Sequence, residues 1–158
     1  MKKFEFTGET KTISLLFRTA TLHRIRAVAE FGLVKIGDLG GWIEKEENLS
    51  HEGKAWVCGD AEVWGNAKVC GDAEVFSASH VLVIGAIGSR DDFTTFFRDK
   101  DNEITVKCGC FLGKIDKFLE KVTQTHGDSK YALVYRAAVE VARLQIDLSG
   151  EAPKDADE

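Results

Sequence analysis

No apolar run in this chain of 158 residues approaches the length that crosses a bilayer. The opening Met1-Lys2-Lys3-Phe4-Glu5-Phe6 lacks the apolar stretch of a signal peptide. No membrane contact and a cytoplasmic location are therefore expected. Cysteine is scarce, at four residues, and without the spacing of a secreted disulfide framework, so reduced thiols are expected. The only proline lies in the acidic tail. Cations are outnumbered, with 21 Lys and Arg against 26 Asp and Glu and a net charge of −5. Broad binding to duplex DNA needs many phosphate contacts, so bulk nucleic acid is not an expected partner. A small anionic ligand held by a few local cations is still compatible with that balance.

What is present is a repeat. From Val57 the chain reads V-C-G-D-A-E, from Val63 V-W-G-N-A-K, from Val69 V-C-G-D-A-E and from Val75 the degraded V-F-S-A-S-H. A six-residue period with an aliphatic residue, a Gly-Asp or Gly-Asn turn and a small residue predicts a hexapeptide β-helix. Side chains alternate along a strand, so the small residue and the valine point inward together. Glycine at the corner supplies a positive φ. Three hexads make one coil, and fewer than two clear coils are present, so burial must come from caps or from other subunits. Outward, just after each valine, stand Cys58, Trp64, Cys70, Phe76 and Leu82. A contiguous apolar row is unlike a solvated face, so it is expected to form an oligomer or subdomain interface.

The remaining segments divide around this repeat. Residues 1–50 read as a β cap, because an open end of such a coil exposes unpaired backbone groups. Residues 51–86 are the repeat. Residues 87–147 read as a β-hairpin followed by two helices. In the first helix Ile115, Phe118, Leu119 and Val122 share a face, and Gly127 stops it. In the second, Val134, Ala138, Val141 and Ala142 form a stripe. Residues 148–158 read as an acidic disordered tail. The expected fold is thus α+β, mainly β: a short left-handed hexapeptide β-helix with an N-terminal β cap and a C-terminal hairpin plus two helices.

The string Gly37-Asp38-Leu39-Gly40-Gly41-Trp42-Ile43-Glu44, then Glu46-Glu47-Asn48-Leu49-Ser50 and the V-x-G-[DN]-A-x repeats, resembles a family of hexapeptide-repeat proteins encoded by phages and prophages. Gly88-Ser89-Arg90, Phe93-Thr94-Thr95-Phe96-Phe97, Cys108-Gly109-Cys110 and Gly127-Asp128-Ser129-Lys130-Tyr131 extend the resemblance over most of residues 3–147. Members mostly have no assigned activity. The resemblance implies a viral accessory protein acting in the host cytoplasm. By analogy with other small phage proteins, it suggests one that blunts host defence by sequestering a small nucleotide signal.

The residues themselves offer four chemistries. Arg24 and Arg26 leave the same face of a strand about 7 Å apart. Arg90 follows the turn residues Gly88 and Ser89, whose backbone N–H groups can cup a phosphate. With Trp42 to stack on a base, these six are the candidate anion or nucleotide site, against the blander reading of ion pairs with Glu44, Glu46 and Glu47. His80, on an outward position, is the candidate base of a hexapeptide acyltransferase, but so short a repeat leaves little groove for a long acyl donor. Cys108 and Cys110, with His126 as a third group, lack zinc spacing and read as small buried hydrophobes. No nucleophilic triad stands out. The expectation is a non-enzymatic binding protein with no catalytic residue, metal or cofactor. Its expected partners are a small anionic ligand, further copies of itself with a trimer favoured, or a host protein that it inhibits.

Overall fold

A computed structural model describes residues 2–149. The first third forms a hairpin because apolar and polar residues alternate there. Strand β1 (Phe4–Ser14) pairs antiparallel with β2 (Thr19–Ala27), with Phe4 opposite Ala27 and Ser14 opposite Thr19. Alternation along β2 buries Ala20 and Leu22 and, after a change of phase at His23 and Arg24, Ile25 and Ala27. Strand β3 (Leu39–Ile43) joins the other edge of β2, with Arg24 opposite Trp42. Its two glycines are required by close packing. A Cβ on Gly40 would stand 2.6 Å from Ile25 Cγ1, and one on Gly41 would stand 2.7 Å from the Ala61 carbonyl oxygen.

The hexads contribute the shortest strands of the molecule: β4 (Trp56–Val57), β5 (Glu62–Val63) and β6 (Glu74–Val75). Val57, Val63, Val69 and Val75 are buried, as are Ala55, Ala61, Ala67 and Ala73. Each valine contributes about 1.5 kcal/mol or more of transfer free energy. They form one core with Phe4, Ile25, Ile43, Leu49 and Phe97. Gly59, Gly65 and Gly71 turn the corners at φ of +62°, +66° and +65°.

The left-handed hexapeptide β-helix expected from these repeats is not the fold. Most strand residues lie in two four-stranded sheets that are largely antiparallel, and two helices complete a mixed α and β architecture. The hexads are divided among different partners. β5 becomes the last strand of the first sheet by parallel pairing with β3, Ile43 opposite Val63. β4 and β6 form a separate two-stranded parallel pair, and Val69 makes only an isolated bridge with Leu49. The physical reason is the small number of hexads. With so few repeats, one hexad-to-hexad pairing forms, Val57 opposite Val75, and the hexads at Val63 and Val69 take Ile43 and Leu49 of the N-terminal segment as partners.

The second sheet runs in the order β10-β9-β8-β7, from β7 (Val81–Ile87), β8 (Asp92–Arg98), β9 (Ile104–Cys108) and β10 (Phe111–Lys114). Helices α1 (Ile115–His126) and α2 (Lys130–Gln145) pack on one face of it. Phe96 and Val106 meet Phe118, Val122, Tyr135 and Val139 in a second core. On α2 the buried stripe is Ala132, Tyr135, Ala138, Val139 and Ala142, whereas Val141 is exposed. Tyr135 shifts the face by placing its ring edge-on against Phe118, 5.7 Å between centroids. Neighbouring residues of β8 serve different cores: Phe96 faces the helices and Phe97 faces the valines. The fully buried Arg98 ties the two halves, donating to the Glu74 carbonyl and to Asn102 Oδ1. Of the expected tail, Leu148 packs against the second core, and residues 150–158 lie outside the described residues. No helix among the described residues is long and apolar enough to cross a membrane.

Candidate functional site

The structure divides the six residues singled out for anion binding. Arg24 lies over the Trp42 ring, 5.5 Å from its centroid, and its Nε donates to the Gly40 carbonyl. Trp42 is already engaged by two cations, since Lys11 also sits 4.5 Å from its centroid. Arg26 is paired with Glu5 at 2.8 Å. Gly88, Ser89 and Arg90 form the β7–β8 turn of the other sheet, where Gly88 lies against the Tyr135 hydroxyl. No hydrogen bond or ion pair among the described residues joins Arg24 or Arg26 to that turn.

The apolar outer row is largely covered from within the chain. Cys58 is half-buried against the valine core, and burial pushes its thiol up to about 12. Phe76 lies under the Arg98 guanidinium, 5.4 Å from centroid to Cζ, and Leu82 packs on the second core. Trp64 is the member left exposed. His80 accepts a hydrogen bond from the Phe76 N–H at Nδ1, and burial lowers its pKa. His126 stacks on Tyr135, Cys108 accepts from the Thr94 hydroxyl, and Cys110 is exposed. Among the described residues no group of three or more ligating side chains is placed to hold a metal ion.

A groove does form elsewhere, between the third hexad and the second sheet. Val69 bridges Leu49, which brings the chain after Glu46 alongside the hexad. On the other side the Lys68 N–H donates to Thr95 Oγ1 at 3.0 Å, which fixes the end of the second hexad to β8. Lys107 stands opposite Thr95 on the neighbouring strand, so the two side chains leave the same face of the sheet. Lys68 and Lys107 therefore meet over the groove, and both line two adjoining cavities. One, of about 120 Å³, is completed by Asn66, Asp92, Phe93, Thr95 and Gly109. The other, of about 410 Å³, has Leu49, Val69 and Cys70 with Ser50, His51, Glu46 and Glu47 around them.

The electrostatics of this groove are local. Neither Lys68 nor Lys107 has a carboxylate partner within 4.0 Å among the described residues, and the Lys107 ammonium bonds only to the Gly109 carbonyl. Burial raises the Cys70 thiol, while Lys107, Lys68 and Lys3 pull it back. His51 is held rigidly. Its Nδ1 accepts the Lys3 N–H at 3.0 Å, and the Phe4 ring stacks on it at 4.1 Å and 11°. With Nδ1 accepting, the neutral ring carries its proton on Nε2, which lies 3.8 Å from Glu46 Oε2. Beneath it Lys3 is buried, with its Nζ on the Ala55 carbonyl, and desolvation lowers its pKa to about 8.

The sequence held a trace of this groove. The first and third hexads carry Asp and Glu after glycine and alanine; the second carries Asn66 and Lys68 instead. Those two departures both line the smaller cavity. Lys107 gave no such trace, because only the strand pairing brings it there. No protein-family model matches the chain, and no curated protein matches it by sequence.

Proposed function

We propose that this chain is a non-enzymatic binding protein for a small anionic ligand, and that the ligand sits on Lys68 and Lys107. One observation carries this reading. The second hexad exchanges both acids of its neighbours for Asn66 and Lys68, and those residues meet an unpaired Lys107 around a cavity. On a chain of net charge −5, two ammonium groups with no carboxylate within 4.0 Å among the described residues are free to take a small anion, while Asp92, Glu46 and Glu47 around the groove disfavour bulk polyanions. The accessory role in a phage, acting in the host cytoplasm by sequestering a small nucleotide signal, is the biological setting that agrees with such a groove.

The test uses the repeat itself. Asn66→Asp with Lys68→Glu rewrites the second hexad in the terms of its neighbours, so folding is expected to persist. Titration of the purified chain with pyrophosphate, followed by calorimetry, should give saturable binding that weakens with salt. The double variant should lose it with an unchanged circular dichroism spectrum. Equal binding by the variant, or none by the parent chain, refutes the reading.

A second reading concerns copies of the chain. Leu133, Val141 and Leu144 are exposed on the outer side of α2, with Ala137 between them. An apolar stripe of that kind favours association with another copy or with a host protein. Mass measurement of the native particle tests the first.

A further inference from the structure

We propose that the groove selects a phosphorylated molecule whose other end is a planar ring bearing an amino group. This rests on the anion-binding reading above and narrows it. The phosphate lies on Lys68 and Lys107, the ring lies against Cys70 and His51, and the amino group donates to Glu46 or Glu47.

Three features of the larger cavity carry the inference. Its floor is fixed, since Leu49 and Val69 are bridged to one another with both side chains buried in the valine core, and the half-buried Cys70 is the apolar group that faces the cavity. An apolar wall beside a groove favours the flat, poorly hydrated face of an aromatic ring over a second charged group. The imidazole of His51 is the second feature. Phe4 stacks on one side of it, and the Lys3 N–H fixes its orientation, so the ring enters the cavity wall already ordered. A flat side chain that loses no further freedom on binding makes an effective stacking surface. The third feature is the mixture of charge. The cavity that contains Lys68 and Lys107 also contains Glu46 and Glu47, both exposed. A ligand that carried only negative charge would meet those carboxylates unfavourably. One with an anion and a hydrogen-bond donor would satisfy both, and a carboxylate accepts well from an amine. A cavity of about 410 Å³ is within the size range of small-molecule sites.

The experiment compares four probes on the intact chain by calorimetry: pyrophosphate, ribose 5-phosphate, adenosine 5′-monophosphate and inosine 5′-monophosphate. Ribose 5-phosphate lacks the ring, and the inosine compound replaces the amino group by an oxo group. The adenosine compound should bind about tenfold more tightly than ribose 5-phosphate, and more tightly than the inosine compound by a similar factor. Glu46→Ala with Glu47→Ala, both on the surface, should abolish the preference for adenosine over inosine while pyrophosphate binding tightens, since two repelling carboxylates are removed. Equal affinity for all three sugar phosphates, or a preference untouched by that double variant, overturns this inference while pyrophosphate binding upholds the broader one. Failure of pyrophosphate and of all three sugar phosphates overturns both.

Discussion

Replacing Asn48 by aspartate tests how the repeat is anchored to the N-terminal strands. Asn48 is 0% exposed and makes three hydrogen bonds to the backbone. Its Oδ1 accepts the Lys45 N–H at 2.9 Å, and its Nδ2 donates to the carbonyls of Gly65 at 3.1 Å and Ala67 at 2.9 Å. Aspartate has almost the same shape. It keeps the acceptor but turns an oxygen toward two carbonyl oxygens. Two bonds are lost and two carbonyls stay desolvated, which costs about 3–5 kcal/mol at neutral pH. Against a typical total of about 5–15 kcal/mol, the variant should still fold, with a clearly lower midpoint.

The pH dependence makes the test specific. The buried carboxylate can recover one bond only by taking a proton, so its pKa in the folded state rises above the unfolded value of about 3.9. A raised carboxyl pKa gives stability that is present below the unfolded value and lost as pH climbs through the folded one. The deficit of Asn48→Asp relative to the parent chain should therefore be smallest near pH 4 and grow toward pH 7. Asn48→Ala should lose a comparable amount independently of pH. Urea melts of all three chains across this range would measure both effects. A deficit below about 1 kcal/mol at pH 7, or one that is flat with pH, would refute the anchoring argument.

Three further outcomes are expected. The Lys3 ammonium, lowered to about 8, loses its proton in the folded chain before it does so in the unfolded one, so stability should rise from about pH 8; above about 9 the raised Cys58 thiol opposes the rise, and Lys3→Met should remove it in a pH series of melts. The Arg18 guanidinium, with help from the Gly65 N–H, holds the Glu44 carboxyl down at about 2. Its contribution is present above pH 4 and fades as pH falls toward 2, so Glu44→Gln should cost about 1 kcal/mol at pH 7, and its melts should converge with the parent's in acid. Gly40→Ala drives a methyl group into Ile25, Trp56 and the Val57 carbonyl and should cost about 2–3 kcal/mol by urea titration; a neutral effect would contradict the close approach of β3 to the hexads.

The inward positions of the repeat were legible because burial along a strand depends on period alone. The closure of the repeat was not, because closure depends on which backbone is nearest. Ile43 offers Val63 a parallel partner from outside the hexads, and nothing in the hexads themselves announces it. On α2 the period was legible but its phase was not. Val134, Ala138, Val141 and Ala142 fit a stripe as well as the true one, until the ring of Tyr135 decides between them. The groove was not read from the sequence. Asn66 and Lys68 fitted the repeat pattern there, and their departure from the acids of the neighbouring hexads says only that a local rule is broken. Lys107, supplied by a strand pairing far along the chain, gives the departure its chemical meaning.

The adjacent Phe96 and Phe97 of β8 have a consequence for how the molecule comes apart. A strand that turns one ring toward the helices and the next toward the valines is a shared wall between two rooms. Neither room stands when it is removed. A fragment ending before β8 would open the valines to water, and one beginning at β8 would carry Phe97 into solvent. The chain should therefore melt in a single step, with no surviving half.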